Sequence, residues 1–395
     1  MPKVILGVSG GVAAYKAVLI CRLLNESGHD VTIVPTPSAL NFVGKATWEA
    51  ITGKPVYAEV FEATDKVAHV ALARSADLVI VAPATADLLF RAASGAANDM
   101  LTAIILTTTA PVIYFPAMHS EMWTNQATSE NVNTLKKRGH IVINPDAGPL
   151  ARGDEGIGRL PEPDQISRLV NTYLAKEKIV QDFSGVKALV TLGGTVEEID
   201  PVRFISNKSS GEMGAAICRA LYLRGAKVTA IVAQHTAVSP HDIEIHNVIS
   251  ANEMSSKTLE LAKLNNLVIM AGAVSDFSVD KKYEKIQKSV GMNLQLVATE
   301  DILSRLSKGK LENQFLVGFA AQTEEVIPKA ITKLAAKKCD LMVANQVGFN
   351  QGFGAINTEI HLISQNGIVS SGTVTKDQAA HKILDSIKEL WKSEH

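Results

Sequence analysis

Val4-Ile5-Leu6-Gly7-Val8-Ser9-Gly10-Gly11-Val12-Ala13-Ala14-Tyr15-Lys16 runs from an apolar stretch of strand length, through a glycine turn, into a helical pattern. Gly7, Gly10 and Gly11 leave backbone N–H groups uncovered at a helix start, where the helix dipole favours an anion, and Ser9 adds a hydroxyl donor. The order returns in the second half as the strand Ala188 to Thr191, a turn at Gly193 and Gly194, and a helix from about Gly211 to Arg224. Apolar runs alternate with helical-period segments nearly throughout, which is the pattern of parallel sheets covered by helices on both faces. The chain is therefore read as α/β, with two doubly wound domains.

Early strands are expected at Val4 to Val8, Val31 to Pro35, Leu78 to Ala82, Val112 to Phe115 and Ile141 to Asn144, with helices at Ala13 to Asn25 and Val67 to Ser75. The alternation lapses from Gly148 to Arg159, too rich in breakers for a helix or a central strand. A polar helix around Pro163 to Lys178 and a short linker, Asp182 to Val186, follow. Domains are expected at residues 1–180 and 187–395. Later strands fall at Val228 to Val232, Leu267 to Ala271, Phe315 to Phe319 and Leu341 to Ala344, before a closing helix from Lys376 to Trp391. No fixed-period repeat links the halves.

Composition narrows the function. With 39 Lys plus Arg against 40 Asp plus Glu in 395 residues, the net charge is −1 and no global field exists to hold a nucleic acid. Phosphorylated ligands must be gripped locally. Cys21, Cys218 and Cys339 stand too far apart for a zinc ribbon or a disulfide framework, and a cytoplasmic location is expected. Residues 100–118 carry no charge, but four threonines and two prolines make them a buried helix end and a strand, not a membrane span. No signal peptide and no membrane partner are read.

The glycine turn suits the phosphate of a nucleotide or of FMN. It also matches the G-x-S-x-G nucleophile elbow of hydrolases, and standing alone it is equally a turn that binds nothing. Its company favours the first reading. Pro83-Ala84-Thr85-Ala86 follows a strand and puts small residues and a hydroxyl at its C-terminal end, where α/β sheets bind ligands. Asn98-Asp99 offers polar contacts to a flavin edge or simply an N-cap. His69 lies on an apolar stretch, a setting in which a histidine is more often a core residue than a catalyst.

Gly7 to Lys16, His69, Pro83-Ala84-Thr85-Ala86-Asp87, Ala97-Asn98-Asp99 and Pro116-Ala117-Met118-His119-Ser120-Glu121-Met122-Trp123 together resemble the flavin-containing cysteine decarboxylases. The first half resembles phosphopantothenoylcysteine decarboxylases, the second phosphopantothenate–cysteine ligases, and the order resembles the bifunctional coenzyme A biosynthesis proteins of bacteria. The resemblance implies two Rossmann-like domains, a flavodoxin-like one followed by a nucleotide-binding one. It implies FMN phosphate near Gly7, Ser9, Gly10 and Thr36, the ring near Pro83, Thr85, Asn98 and Asp99, and His69 as catalytic base. Two positions depart from the family. His119 replaces an asparagine that binds the substrate carboxylate, and Ala151-Arg152-Gly153 replaces a flap whose cysteine donates the final proton. The guanidinium of Arg152 is a poor acid, so Asp154, Glu155 and His119 are the candidate donors.

In the second half, Asp200-Pro201-Val202-Arg203-Phe204-Ile205-Ser206-Asn207-Lys208-Ser209-Ser210-Gly211 is rich in groups that suit phosphate and carboxylate and leads into a helix. By the resemblance Asn207 stabilises an acyl-cytidylate and Lys285 is catalytic. Arg203, Ala271, Gly272, Ala273 and Asp276 join the nucleotide site, as do Thr299, Glu300, Asp301, Ile302, Phe319, Lys333 and Lys337. Lys333 and Lys337, at i and i+4, share one helix face. The implied ligands are CTP, 4'-phosphopantothenate and cysteine, with Mg2+ bridging the triphosphate and no protein metal ligands assigned. A homo-oligomer built on decarboxylase trimers is also implied. A second reading is an active ligase fused to a flavin-binding scaffold with impaired turnover.

Overall fold

The computed structural model describes residues 1–60, 68–150, 153–234, 242–287, 293–347 and 357–393, so Ala151, Arg152 and Lys288 lie outside the described residues. Contacts divide the chain into two compact units, Met1–Val170 and Asn171–His395.

The first unit is built on five parallel strands, β1 (Lys3–Val8), β2 (Asp30–Pro35), β3 (Leu78–Ala84), β4 (Val112–Pro116) and β5 (Ile141–Val142), in the order β2-β1-β3-β4-β5. Every residue of β3 is buried, as an apolar run flanked by β1 and β4 and covered on both faces must be. Helices α1 (Lys16–Glu26), α2 (Lys45–Thr52), α3 (Ala68–Ser75), α4 (Ala86–Ser94), α5 (Met100–Thr107), α6 (Ser120–Trp123) and α7 (Gln126–Lys137) fill the crossovers. The uncharged stretch divides into α5 and β4, as expected. Asp99 starts α5 with a capping box: its carboxylate accepts from Thr102 N–H at 2.8 Å, and Thr102 Oγ1 accepts from Asp99 N–H at 3.2 Å. The glycine-rich stretch forms an antiparallel hairpin outside the central sheet, β6 (Asp146–Pro149) and β7 (Glu155–Arg159), and α8 (Pro163–Leu174) follows.

The units divide inside α8, ahead of the linker expected at Asp182 to Val186. The reason is Thr172. Its hydroxyl accepts from Arg219 Nε at 2.8 Å and donates to Asp377, while its carbonyl accepts from His381 Nε2 at 2.8 Å. Arg219 and His381 are nearly fully buried, so this polar knot commits the last turn of α8 to the second unit.

The second unit has β8 (Lys187–Leu192), β9 (Val196–Glu198), β10 (Phe204–Ser206), α9 (Glu212–Leu223), β11 (Lys227–Ala233), β12 (Glu244–Val248), α10 (Ala251–Ala262), β13 (Leu267–Met270), β14 (Phe277–Val279) and β15 (Leu296–Ala298). It continues through α11 (Ile302–Lys308), β16 (Phe315–Gln322), α12 (Val326–Lys337), β17 (Leu341–Gln346), β18 (Asn357–Ser364), β19 (Gly367–Thr375) and α13 (Lys376–Ser393). Its large sheet runs β12-β11-β8-β13-β16-β17-β18-β19, parallel up to β17 and closed by the antiparallel pair β18 and β19. Alternation of side chains along the strands builds two cores: Val190, Ile269 and Val317 face α9 and α13, and Leu189, Val268 and Leu316 face α10, α11 and α12. Both units are doubly wound Rossmann-like α/β folds. In each, the strand order reverses beside the first strand, which opens a crevice at the carboxyl ends: between β1 and β3 in one, between β8 and β13 in the other.

Candidate active sites

In the first unit three turns meet at that crevice. Ser9 N–H bonds Pro83 O at 3.2 Å, Ser9 Oγ donates to Pro83 O at 2.8 Å and accepts from Thr85 N–H at 2.9 Å, and Thr36 N–H bonds Val8 O at 2.8 Å. The Ser9 hydroxyl is therefore a buried strut between the glycine turn and the turn after β3. Among the described residues it bonds neither histidine nor acid, which leaves the hydrolase reading of the G-x-S-x-G without a base there. The turns also touch at Gly10, where a Cβ would stand 2.4 Å from Ser38 Oγ, so only glycine fits. Thr36 Oγ1 caps the following short 3-10 turn by accepting from Ala39 N–H, and lies 3.1 Å from Ser38 Oγ. Ser38, missed in the sequence, thus stands with Thr36 as a hydroxyl at this crevice; the T-P-S order of an N-cap was its signal.

Thr85 caps α4, accepting from Leu88 N–H, and Gly11 packs against its methyl group. Asp99 is buried and spent on the α5 cap and an ion pair with Arg91, the structural role weighed for it above. Burial opposes the charge of Arg91, but Asp99 and Asp87 outweigh it and raise its pKa. Asn98 is exposed beside Asp99, its Oδ1 accepting from Arg91 at 3.3 Å. His69 is half-buried in the first turn of α3, which packs against α5.

His119 stands on the same edge. Ala117 N–H bonds Ala84 O at 3.0 Å, which ties the turn after β4 to the end of β3. His119 is the N-cap residue of α6 and keeps 43% of its side chain exposed. The hairpin β6/β7 is clasped onto this turn: Met118 N–H bonds Gly158 O at 3.0 Å, and Cβ atoms at Gly156 and Gly158 would fall 2.1 Å from Ser120 Oγ and 2.0 Å from Met118 O. The clasp sets Asp154 Oδ2 3.9 Å from His119 Nδ1, with Glu121 Oε2 at 4.0 Å. No cysteine reaches this region. Cys21, Cys218 and Cys339 are buried, and burial pushes their thiols up to about 11, 12 and 11.

The second unit holds a cavity of about 760 Å³ at the carboxyl ends of its strands. Asn207, Ala271, Gly272, Ala273, Asp276, Thr299, Glu300, Asp301, Ile302, Phe319, Lys333 and Lys337 all line it. Asn207 Nδ2 donates to Ala273 O at 2.9 Å, which ties the Asn207 side chain to the turn after β13. Gly272 N–H is held by Thr191 Oγ1 at 3.0 Å. Gly211, with φ 75°, turns the chain into α9 in a conformation that suits glycine, so Ser209, Ser210 and the first turn of α9 also face the cavity. Lys333 and Lys337 reach it from α12, and Lys337 pairs closely with Asp301, the N-cap of α11. Asn345 and Lys376, which sequence patterning did not single out, line it as well.

Arg203 and Lys285 do not line the cavity. Arg203 Nη1 pairs with Asp200 Oδ2 at 3.0 Å, and its Nη2 donates to Ile286 O at 3.2 Å; Ile286 N–H in turn donates to Asp200 Oδ2 at 3.2 Å. Burial would raise the Asp200 carboxyl, but the N–H groups of Val202, Ile286 and Arg203, with the guanidinium, outweigh it and hold the pKa below the ordinary value. Arg203 is thus the clamp on the segment that carries the exposed Lys285.

A family model described as Flavoprotein matches residues 1–175, and one described as the DNA/pantothenate metabolism flavoprotein C-terminal domain matches residues 183–390. The coenzyme A biosynthesis bifunctional protein of Mycolicibacterium smegmatis is 43% identical to this chain over 99% of its length and 98% of the relative's. This chain belongs to the bifunctional coenzyme A biosynthesis family. Members of the family from Mycobacterium tuberculosis and Haemophilus influenzae are 44% and 38% identical, over 98% of this chain and 96% and 98% of theirs. A crystal structure of the C-terminal domain of such a bifunctional protein aligns with 54% of this chain and 99% of its own at 31% identity, with a TM-score of 0.46. As a member of the bifunctional coenzyme A biosynthesis family the chain is an enzyme with two activities, a phosphopantothenoylcysteine decarboxylase in its flavoprotein half and a phosphopantothenate–cysteine ligase in the other.

Proposed function

We propose that the second unit uses CTP to activate the carboxylate of 4'-phosphopantothenate as an acyl-cytidylate, releasing pyrophosphate, and that the amine of cysteine then displaces CMP to form the amide. The first unit decarboxylates that product to 4'-phosphopantetheine. The observation that carries the ligase reading is the cavity, which sets Asn207, a strand-end glycine and two lysines around one space at the carboxyl ends of the parallel strands. Lys333 and Lys337 would neutralise the triphosphate, Asn207 would steady the acyl-cytidylate, and Lys285 would swing in over the transferring phosphate on the Arg203-clamped segment. Mg2+ would enter with the triphosphate, with Asp276, Glu300 and Asp301 the carboxylates on the cavity wall.

In the first unit the bound cofactor is proposed to be FMN. The crevice fits its phosphate: the close packing at Gly10 and the hydroxyls of Thr36 and Ser38 form a small polar cradle at the carboxyl ends of β1 and β2. FMN supplies reversible removal of a hydride from the carbon bearing sulfur. His69 takes the thiol proton, and His119, on the Ala117–Ala84 tether, holds the substrate carboxylate. Assembly on decarboxylase trimers and a cytoplasmic location complete the proposal.

The test is mass spectrometry of products after incubation with 4'-phosphopantothenate, cysteine, CTP and Mg2+. Phosphopantothenoylcysteine followed by 4'-phosphopantetheine is expected. Accumulation of the first without the second would refute the decarboxylase half, and ATP serving better than CTP would refute the nucleotide assignment.

A further inference from the structure

Replacing a carboxylate by hydrogen requires that a proton reach the carbon from which carbon dioxide leaves. A thiol does this in enzymes that place one at the site, but every cysteine here is buried and protonated. Resting on the decarboxylase reading, we propose that His119 is the proton donor, with Asp154 of the β6/β7 hairpin as its positioning partner. A group that holds the departing carboxylate stands beside the carbon that carboxylate leaves, so the same side chain is placed for the next step. An asparagine at that position can bind but has no proton to give, whereas an imidazolium can do both.

The surroundings of His119 suit that task. Asp154 and Glu121 lie 3.9 and 4.0 Å from Nδ1, on one side of the ring, which assigns donation to Nε2. The two carboxylates come from different elements, Glu121 from α6 and Asp154 from the hairpin, and the Gly156/Gly158 clasp fixes one against the other. With 43% of its side chain exposed, the ring can recover its proton from water.

The C–C bond to the carboxylate breaks, and its electron pair moves through the carbon skeleton to sulfur, giving carbon dioxide and an enethiolate. Nε2–H protonates the carbon that bore the carboxylate and restores the thioaldehyde. The hydride removed at the outset returns to the carbon bearing sulfur, and the thiolate takes a proton from water. The net change is carbon dioxide replaced by one hydrogen.

The experiment uses the full chain with H119N and H119Q, which keep a donor for the carboxylate but no transferable proton, each checked by circular dichroism and flavin content. Single turnover with phosphopantothenoylcysteine is followed by carbon dioxide release, flavin absorbance and product mass. Carbon dioxide from both variants, with the product lacking two hydrogens and the flavin left bleached, is expected. Saturated product within threefold of the wild-type rate would overturn the proposal, as would loss of carbon dioxide release in both variants while the parent releases it. No carbon dioxide from the parent would instead overturn the decarboxylase reading. Independently of turnover, D154N in flavin-free protein should move the His119 ring resonances in NMR spectra recorded at one fixed pH, because the Asp154 carboxylate lies 3.9 Å from Nδ1. Ring resonances unchanged from the parent would remove Asp154 from the proposal.

Discussion

Gly158→Ala should separate the two activities of this chain. The new Cβ would stand 2.0 Å from Met118 O and 3.1 Å from its carbonyl carbon. Carbon and oxygen without a covalent bond approach to about 3.3 Å, so the hairpin must retreat by roughly 1.3 Å. That movement stretches the Met118 N–H to Gly158 O bond, now 3.0 Å, beyond hydrogen-bonding range. Overpacking costs about 1–3 kcal/mol and the lost bond about 1 kcal/mol, so the first unit should lose roughly 2–4 kcal/mol. The larger effect is on geometry. Displacement of about 1 Å beside the reacting groups costs on the order of 100-fold in rate, because His119 and Asp154 no longer hold their separation. Both half-reactions are measured on one sample, the ligase serving as internal control. Decarboxylation should fall about 100-fold and ligation should stay within about twofold. Gly139→Ala, at a φ of 88° with open space around the Cβ, should lower stability by about 1 kcal/mol and leave both rates alone. Decarboxylation by G158A at more than about a third of the parent rate would refute the clasp as the device that sets the site.

Three other outcomes are expected. Ser9→Ala strands Thr85 N–H and removes one of the two hydrogen bonds to Pro83 O, and should weaken flavin binding by about 10-fold or more, read by absorbance titration of the apoprotein. Lys285→Gln changes an exposed side chain, so the melting temperature should hold while ligase kcat falls on the order of 100-fold; a change only in KM for CTP would make Lys285 a binding residue instead. Partial burial would raise Asp182, but its bidentate contact with Arg224 holds the carboxyl below its ordinary value. That stability is fully present above about pH 4 and is lost as pH falls through the lower folded value. D182N should therefore cost about 1–2 kcal/mol in urea melts near neutrality, and the gap to the parent should narrow as pH falls below about 4.

The glycine turns and the parallel strands were readable because local patterns report them: apolar runs, breakers and small residues at strand ends; most residues of the ligase cavity were reached through the family resemblance. What escaped depends on contacts distant in sequence. Lys376 joins the cavity only because β18 and β19 fold back antiparallel and deliver the start of α13 to it. Arg203 looked like a phosphate ligand by its residue type, yet Asp200 and Ile286 O, the latter 83 residues away, claim its guanidinium. Asp99 offered a flavin contact and a cap with equal force in the sequence, and the close approach of Arg91 shows its carboxylate committed to the fold. Ser9 was read as a donor to phosphate, and only the meeting of two turns separated by 74 residues shows where its proton goes.

The knot at Thr172 bears on how this chain can be divided for study. A second half produced from residue 183 onward, where its family match begins, would be missing the hydroxyl and the carbonyl that Arg219 and His381 bond. Two nearly buried side chains would then face vacant space at the root of α13, and Arg219 would retain only Glu212 and Asp377. The separable ligase therefore begins no later than Asn171, and the last turn of the helix ahead of the linker supplies part of its seal.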